Sequence, residues 1–153
     1  MQLDALYQEI ILDHYRSPHH AGLAEQYDVE VHHVNPSCGD EVTLRVSLDG
    51  DVVTGVTHES AGCSISQAAT SVMTDLVIGK PVADGMATYE KFLGLMQGRG
   101  TVEPDEDALE DGVAFAGVAQ FPARVKCALL GWSAWRDATA QALAGTTDGV
   151  SNG

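Results

Sequence analysis

The feature that most limits the fold is a stretch of alternating hydrophobicity near the middle of the first half of the chain. Apolar side chains occupy every second position from Val42 to Leu48, a pattern that predicts a half-buried β-strand. The turn residues "DGD" at 49–51 lead into another strand-like run, "VVTGVTHESAG", and a shorter run, "VEVHHV" at 29–34, precedes both. We therefore expect an antiparallel meander of about three strands.

Helices are predicted on both sides of this meander. Residues 2–16 place apolar side chains three and four positions apart, and Pro18 ends the pattern. After the strands, a second helix is expected to begin directly after Cys63, because Ser64 is a suitable N-cap and a helical apolar pattern follows it. Gly79 is the expected stop signal of this helix.

The second half of the chain is predicted to be largely helical. Amphipathic patterns cover 87–99 and 121–144, and the acid- and glycine-rich stretch 98–118 is interpreted as an excursion between them. Strands grouped early and helices later indicate an α+β fold, a small antiparallel sheet covered by helices. The length suits one domain, which we place at 1–144, followed by a flexible C-terminal tail at 145–153.

The charge of the chain argues against two classes of partner. Eight Lys and Arg against 22 Asp and Glu give a formal charge of −14, and a field of this sign repels nucleic-acid phosphates and anionic lipids. The sequence contains no apolar run near the ~20 residues that span a bilayer. We expect a cytoplasmic protein that binds neither nucleic acid nor membrane. The most acidic stretch, 103–111, is interpreted as a solvated loop, with a docking patch for a basic partner as the alternative.

Three widely separated cysteines, Cys38, Cys63 and Cys127, are the candidate chemical groups. An odd number in a reducing compartment argues against a disulfide framework. Cys38 shares a glycine-containing bend with Asp40, Cys63 precedes a predicted helix, and Cys127 follows Lys126; a helix start and a basic neighbour both favour a thiolate. Three thiolates and one carboxylate would fill a tetrahedral zinc site. Spacing alone leaves bound metal, inert burial and a metal-free redox thiol open.

Six histidines compete with these residues for ligand roles. Neighbours on a strand point to opposite faces, so at most one of His32 and His33 can face the bend at Cys38. No local signature selects a histidine as the base of a cysteine–histidine dyad. We interpret all six as surface or hydrogen-bonded residues: His14, His19, His20, His32, His33 and His58.

Four motifs carry a resemblance to a known family: "YQEIILDHYRSPHHAG", "NPSCGDEV", "GCSISQAATSVM" and "FPARVKCALLGW". In this order, over about residues 5–140, they resemble the SufU-type members of the IscU-like iron–sulfur cluster assembly proteins. The resemblance implies an IscU-like fold that binds one Zn²⁺ per chain. It also implies four ligands to that ion: Cys38, Asp40, Cys63 and Cys127.

The activity implied by the resemblance is sulfur transfer. A PLP-dependent cysteine desulfurase of the SufS type would supply persulfide sulfur, Cys38 would be the catalytic residue that accepts it, and a downstream SUF scaffold complex would receive it. The chain departs from scaffold members in having Lys126 where they carry a histidine, and in a longer gap between Cys63 and Cys127. A scaffold that holds a transient iron–sulfur cluster is one alternative. A zinc-stabilised adaptor that activates the desulfurase without bearing sulfur is another.

Overall fold

The computed structural model describes residues 2–36 and 39–148, and it has the predicted α+β architecture. Helix α1 precedes three strands: α1 (Gln2–Arg16), β1 (Val29–Asn35), β2 (Asp40–Asp49) and β3 (Val52–Ala61). Helical elements make up the rest: α2 (Ser64–Val77), α3 (Val82–Gln97), α4 (Glu106–Leu109), a 3₁₀ segment (Glu110–Gln120) and α5 (Pro122–Asp148). The prediction of an early sheet covered by later helices is confirmed.

The sheet is an antiparallel meander in the order β1-β2-β3. Its middle strand buries Val42, Leu44 and Val46, whereas the side chains between them are partly exposed. Val46 lies opposite Val56 in the β2–β3 pair, and Val56 is also buried. The alternation in the sequence therefore marks the face of the sheet that the helices cover.

The core lies between this face of the sheet and the helices, with α5 packed on β1, β2 and α2. Gly131 lets α5 approach α2 closely, because a Cβ at this position would lie 2.4 Å from Thr70 Oγ1. The next residue, Trp132, stacks on Phe92 of α3, and it meets Trp135 edge to face; ring centroids are 5.9 Å apart in both pairs. These aromatic rings join α3 to α5.

The interpretation of residues 98–118 as an excursion between elements holds for 98–105, which join α3 to α4 and are mostly exposed, but it is wrong for 106–118. The 3₁₀ segment packs against α1, α3 and α5, and it buries Val113, Phe115 and Val118. Within the stretch 103–111, the acidic side chains are exposed but Leu109 is buried. The apolar residues between the acids and glycines are therefore part of the core, whereas a solvated loop would leave them exposed.

Element boundaries also differ from the predicted ones. The N-cap of α2 is Cys63 rather than Ser64, and the cysteine side chain makes no capping hydrogen bond to the described residues. Helix α5 continues past residue 144 to Asp148. Residues 149–153 lie outside the described part of the chain, so the division into a domain at 1–144 and a tail at 145–153 stays a prediction. Among the described helices, none combines the length and the apolar character that crossing a membrane requires.

Candidate metal centre

Asp40 is the first residue of β2, and its side chain is buried with 1% of its surface exposed. It lies opposite Asn35 in the β1–β2 pair. Gly39 closes the turn between them, with φ of +78° and an N–H that donates to the Asn35 carbonyl at 2.8 Å. A buried carboxylate needs hydrogen bonds or charged partners, so the surroundings of Asp40 are central to this site. Cys38 lies outside the described residues.

Gly62 makes room for the Asp40 carboxylate. Its φ is +132°, and a Cβ on this residue would lie 2.1 Å from Asp40 Oδ1. The same oxygen accepts the backbone N–H of Cys63 at 2.9 Å, and Asp40 Oδ2 lies 3.3 Å from Cys63 Sγ. The carboxylate therefore fixes the residue at which α2 begins.

Cys63 and Cys127 both lie near the N-terminal ends of helices. Cys63 is the N-cap of α2, where free amides and the positive end of the helix dipole favour a thiolate. Cys127 follows Pro122, the first residue of α5, and is 1% exposed. Its neighbours Arg124 and Lys126 are exposed at the same end of the helix. Two helices thus direct their thiols to one region.

The three described members of the predicted ligand set converge. Asp40, Cys63 and Cys127 each offer one ligand atom, and these atoms lie within 4.8 Å of one another. In a tetrahedral zinc site with Zn–S bonds of about 2.3 Å, neighbouring ligand atoms are separated by about 3.8 Å. Thiolates with a carboxylate suit zinc and iron–sulfur sites rather than magnesium or calcium. The residues present fit the ion that the resemblance implies, and inert burial does not account for the enclosed carboxylate.

An open groove of about 560 Å³ adjoins this cluster. It runs between α1, the start of α2, the 3₁₀ segment and the start of α5, and its lining includes Tyr7, Ser64, Ile65, Phe121 and Arg124. Ser64 follows Cys63 directly, and Phe121 is an apolar side chain with 60% of its surface exposed. The groove therefore offers a partly apolar surface beside the cluster, with the Arg124 cation in its lining.

Residues 6–128 match the NifU-like N-terminal domain family. The chain belongs to this family. Among its relatives, the zinc-dependent sulfurtransferase SufU of Bacillus subtilis is 41% identical over 133 residues, which cover 86% of this chain and 88% of that protein. The iron–sulfur cluster assembly scaffold protein IscU of Streptococcus pyogenes serotype M1 is 37% identical over 137 residues, which cover 90% of this chain and 84% of that protein.

Solved structures of NifU-like proteins share the fold. A structure from Fervidobacterium islandicum AW-1, described as a putative iron–sulfur cluster assembly scaffold protein for the SUF system (FiSufU), has a TM-score of 0.79 and 37% identity, and the match covers 86% of this chain and 94% of that one. The N-terminal part of a nitrogen-fixing NifU-like protein from Brucella abortus has a TM-score of 0.80 and 26% identity, covering 93% of this chain and 97% of that one. The resemblance to SufU-type, IscU-like proteins is thereby confirmed.

All six histidines make polar contacts, as predicted. His32 Nδ1 lies 2.8 Å from Thr43 Oγ1, and His33 Nε2 donates to Asp137 at 2.9 Å, which lowers the pKa of Asp137 below its usual range. Burial lowers the pKa of His58. The remaining three, His14, His19 and His20, contact aspartates near the end of α2 or in the 3₁₀ segment.

The sequence interpretation missed two features. The first is Gly62, whose role depends on the register of β2 and β3; the available signal was a glycine directly before a candidate ligand. The second is a group of His14, His19 and Asp75, whose ligand atoms also lie within 4.8 Å of one another. Two histidines near the end of the first predicted helix were the signal for this group, but its carboxylate comes from a distant helix.

Proposed function

We propose that this chain is a zinc-dependent sulfurtransferase that accepts persulfide sulfur from a cysteine desulfurase and passes it to iron–sulfur cluster assembly. The convergence of Asp40, Cys63 and Cys127 within 4.8 Å carries the proposal. A relative named zinc-dependent sulfurtransferase, 41% identical over most of both chains, supports it. Zn²⁺ at these side chains would keep the cysteines deprotonated at neutral pH.

Cys38 is the proposed fourth ligand and sulfur acceptor. It precedes Asp40 by two residues in the sequence. Because consecutive Cα atoms are about 3.8 Å apart, its Cα lies within about 7.6 Å of that of Asp40. Chain connectivity therefore keeps Cys38 near the cluster, and the resemblance to SufU-type proteins supports its role as acceptor.

The proposed transfer is a thiol–persulfide exchange. The Cys38 thiolate attacks the terminal sulfur of a persulfide on the desulfurase, forming a new S–S bond. The S–S bond of the donor breaks, and its cysteine leaves as a thiolate. The persulfide moves from one protein to the other without an external oxidant or reductant. Residues that keep the acceptor deprotonated are therefore the main requirement on this chain.

The proposed donor is a PLP-dependent desulfurase of the SufS type, and the proposed destination is a downstream SUF scaffold complex. The groove beside Cys63 supports docking of a partner segment next to the cluster. A formal charge of −14 supports a basic docking face on that partner, because opposite charges speed encounter. We place the protein in the cytoplasm, where thiols stay reduced.

Mass spectrometry of the chain after incubation with the desulfurase and free cysteine tests the acceptor. We expect the mass of one sulfur atom to be added to Cys38 in the wild type, and no added sulfur in Cys38→Ala. Ser37→Ala is the matched control, because it changes the preceding residue and leaves every proposed ligand in place. Wild-type sulfur loading of Cys38→Ala would falsify the assignment.

A scaffold for an iron–sulfur cluster is the second candidate, favoured by the relative named IscU scaffold protein. Anaerobic reconstitution with iron and sulfide separates the two functions. A stable coloured cluster that passes intact to an apo-ferredoxin supports the scaffold, and a colourless zinc protein that accelerates the desulfurase supports the sulfurtransferase. Full acceleration by Cys38→Ala, without sulfur on this chain, would instead indicate the adaptor.

A further inference from the structure

A second group of metal-binding side chains, His14, His19 and Asp75, lies away from the cysteines. One ligand atom of each residue lies within 4.8 Å of the other two, and the two imidazole centroids are 4.5 Å apart. Asp75 is near the end of α2, whereas Cys63 precedes its first residue. At ~1.5 Å of rise per residue, the two positions are ~18 Å apart along the helix. This group is therefore separate from the cysteine cluster.

Protein groups hold the His14 ring from both sides. The residue lies in the last turn of α1 and is 4% exposed. Its Nε2 is 2.9 Å from Asp111 Oδ2, and its Nδ1 is 2.7 Å from Ser71 Oγ. A carboxylate on one ring nitrogen is the usual way in which proteins orient a metal-bound imidazole. The other nitrogen, Nδ1, faces α2, the helix that carries Asp75, and a metal ion bound to it would replace its contact with Ser71 Oγ.

His19 has a fixed main chain and an accessible side chain. Its N–H donates to Ser71 Oγ at 2.7 Å, and its carbonyl accepts from His58 Nε2 at 2.9 Å. Its ring Nδ1 lies 2.5 Å from Asp75 Oδ2, and 49% of the side chain is exposed. The backbone is thus anchored from α2 and from β3, while the imidazole and the Asp75 carboxylate face each other at the surface, where a metal ion could bind both.

An open cleft of about 410 Å³ lies beside the two histidines of this group. His14 and His19 line the cleft together with two carboxylates, Asp13 and Asp111. Arg16 also lines it, but this cation lies 3.8 Å from the Glu9 carboxylate. The charge around the cleft therefore favours entry of a cation.

We propose that His14, His19 and Asp75 form a second metal site, for a divalent first-row transition-metal ion. Two imidazoles and one carboxylate suit Fe²⁺, Co²⁺ or Zn²⁺, whereas Mg²⁺ and Ca²⁺ prefer oxygen ligands. Three protein ligands, two of which line an open cleft, leave coordination positions for water, which is typical of an exchangeable ion rather than a structural one. The site does not depend on the proposed sulfur transfer.

Titration with Co²⁺ tests this site. The full chain is reduced, loaded with one equivalent of Zn²⁺ to fill the cysteine cluster, and then titrated with Co²⁺ by calorimetry and absorption spectroscopy. We expect one further Co²⁺ to bind, with the weak visible bands of nitrogen and oxygen ligands and without intense thiolate charge transfer. His19→Ala and Asp75→Asn should each weaken this binding about tenfold or more. The matched control His32→Ala, which removes an exposed histidine elsewhere, should bind Co²⁺ as the wild type does.

Circular dichroism during heating checks that each variant is folded. His19 and Asp75 are chosen because 49% and 36% of their side-chain surfaces are exposed, so their replacement costs little packing. The proposal is overturned if the zinc-loaded chain shows no saturable Co²⁺ binding, in which case the group is a hydrogen-bonded link between α1 and α2. It is also overturned if His19→Ala and Asp75→Asn bind Co²⁺ as tightly as the wild type, or if the bound Co²⁺ shows only the thiolate spectrum.

Discussion

The side chain of Asp40 lies directly beside the Cα of Gly62, in space that the Cβ of any other residue at position 62 would need. Its Oδ1 lies where a Cβ of Gly62 would be, and the same carboxylate holds the amide of Cys63. The φ of +132° at Gly62 is also a conformation that residues with a Cβ rarely adopt. At the scale of residues, the candidate metal centre therefore depends on the absence of a side chain at Gly62 as well as on its ligands.

Gly62→Ala is expected to displace Asp40, because the new Cβ and the carboxylate cannot share this space. We expect a loss of roughly 1–3 kcal/mol in the free energy of unfolding from strain and overpacking, and weaker Zn²⁺ binding. Urea unfolding and competition with a chelator measure the two effects. Gly55→Ala on β3 is the control, since no described atom lies within 4 Å of its ideal Cβ. Wild-type zinc affinity in Gly62→Ala would show that the metal site does not need Asp40 in its present position.

At the scale of elements, the crossing of α2 and α5 sets the separation of the two described thiols. Cys63 precedes α2 and Cys127 lies near the start of α5. The helices approach closely at Thr70 and Gly131, where an added Cβ would lie 2.4 Å from Thr70 Oγ1 and 3.2 Å from its Cα. A wider crossing would move one thiol away from the other.

Gly131→Ala and Gly94→Ala should change stability in opposite directions. The first adds a methyl group to the α2–α5 contact, so we expect a loss of roughly 1–3 kcal/mol in the free energy of unfolding. The second adds a methyl group to an exposed helical position of α3, with no described atom within 4 Å, so we expect a gain of roughly 0.5–1 kcal/mol. Urea denaturation of both variants measures these changes in the free energy of unfolding. Equal effects would mean that the α2–α5 crossing tolerates expansion.

Local patterns predicted the elements well, and long-range contacts explain the errors. The alternating apolar residues predicted β2 correctly, because successive side chains of a strand point to opposite faces. Val42 and Leu44, two positions apart, are therefore buried on the same face. Ser64 was a reasonable N-cap from local sequence, but Asp40 of another strand contacts the helix start at Cys63 instead. The burial of Phe115 was missed because the acidic residues near it in the sequence indicated a solvated segment. The contacts that bury it come from helices far away in the sequence. The candidate ligands could be proposed because the chain has only three cysteines and Asp40 lies two residues after the first of them, but the distances between them could not be predicted.

At the scale of the whole molecule, the proposed zinc ion would join β2, α2 and α5. Removing it with a chelator under reducing conditions should lower the melting temperature, because an ion that binds only the native state adds about 2.7 kcal/mol of stability at 100 times its Kd. Scanning calorimetry with and without chelator measures the shift. Cys63→Ser, which lacks one ligand, should lose most of this response. Equal melting temperatures for the loaded and stripped wild type would contradict a stabilising role of the ion.

The β2–β3 hairpin has a consequence for the order in which the ligands assemble. Asp40 and Cys63 are only 23 residues apart in the chain and meet at the open end of this hairpin, whereas Cys127 arrives only when α5 packs against the sheet and α2. Contacts between nearby parts of a chain form faster than distant ones. A refolding molecule thus brings Asp40 and Cys63 together first, and docking of α5 then adds Cys127.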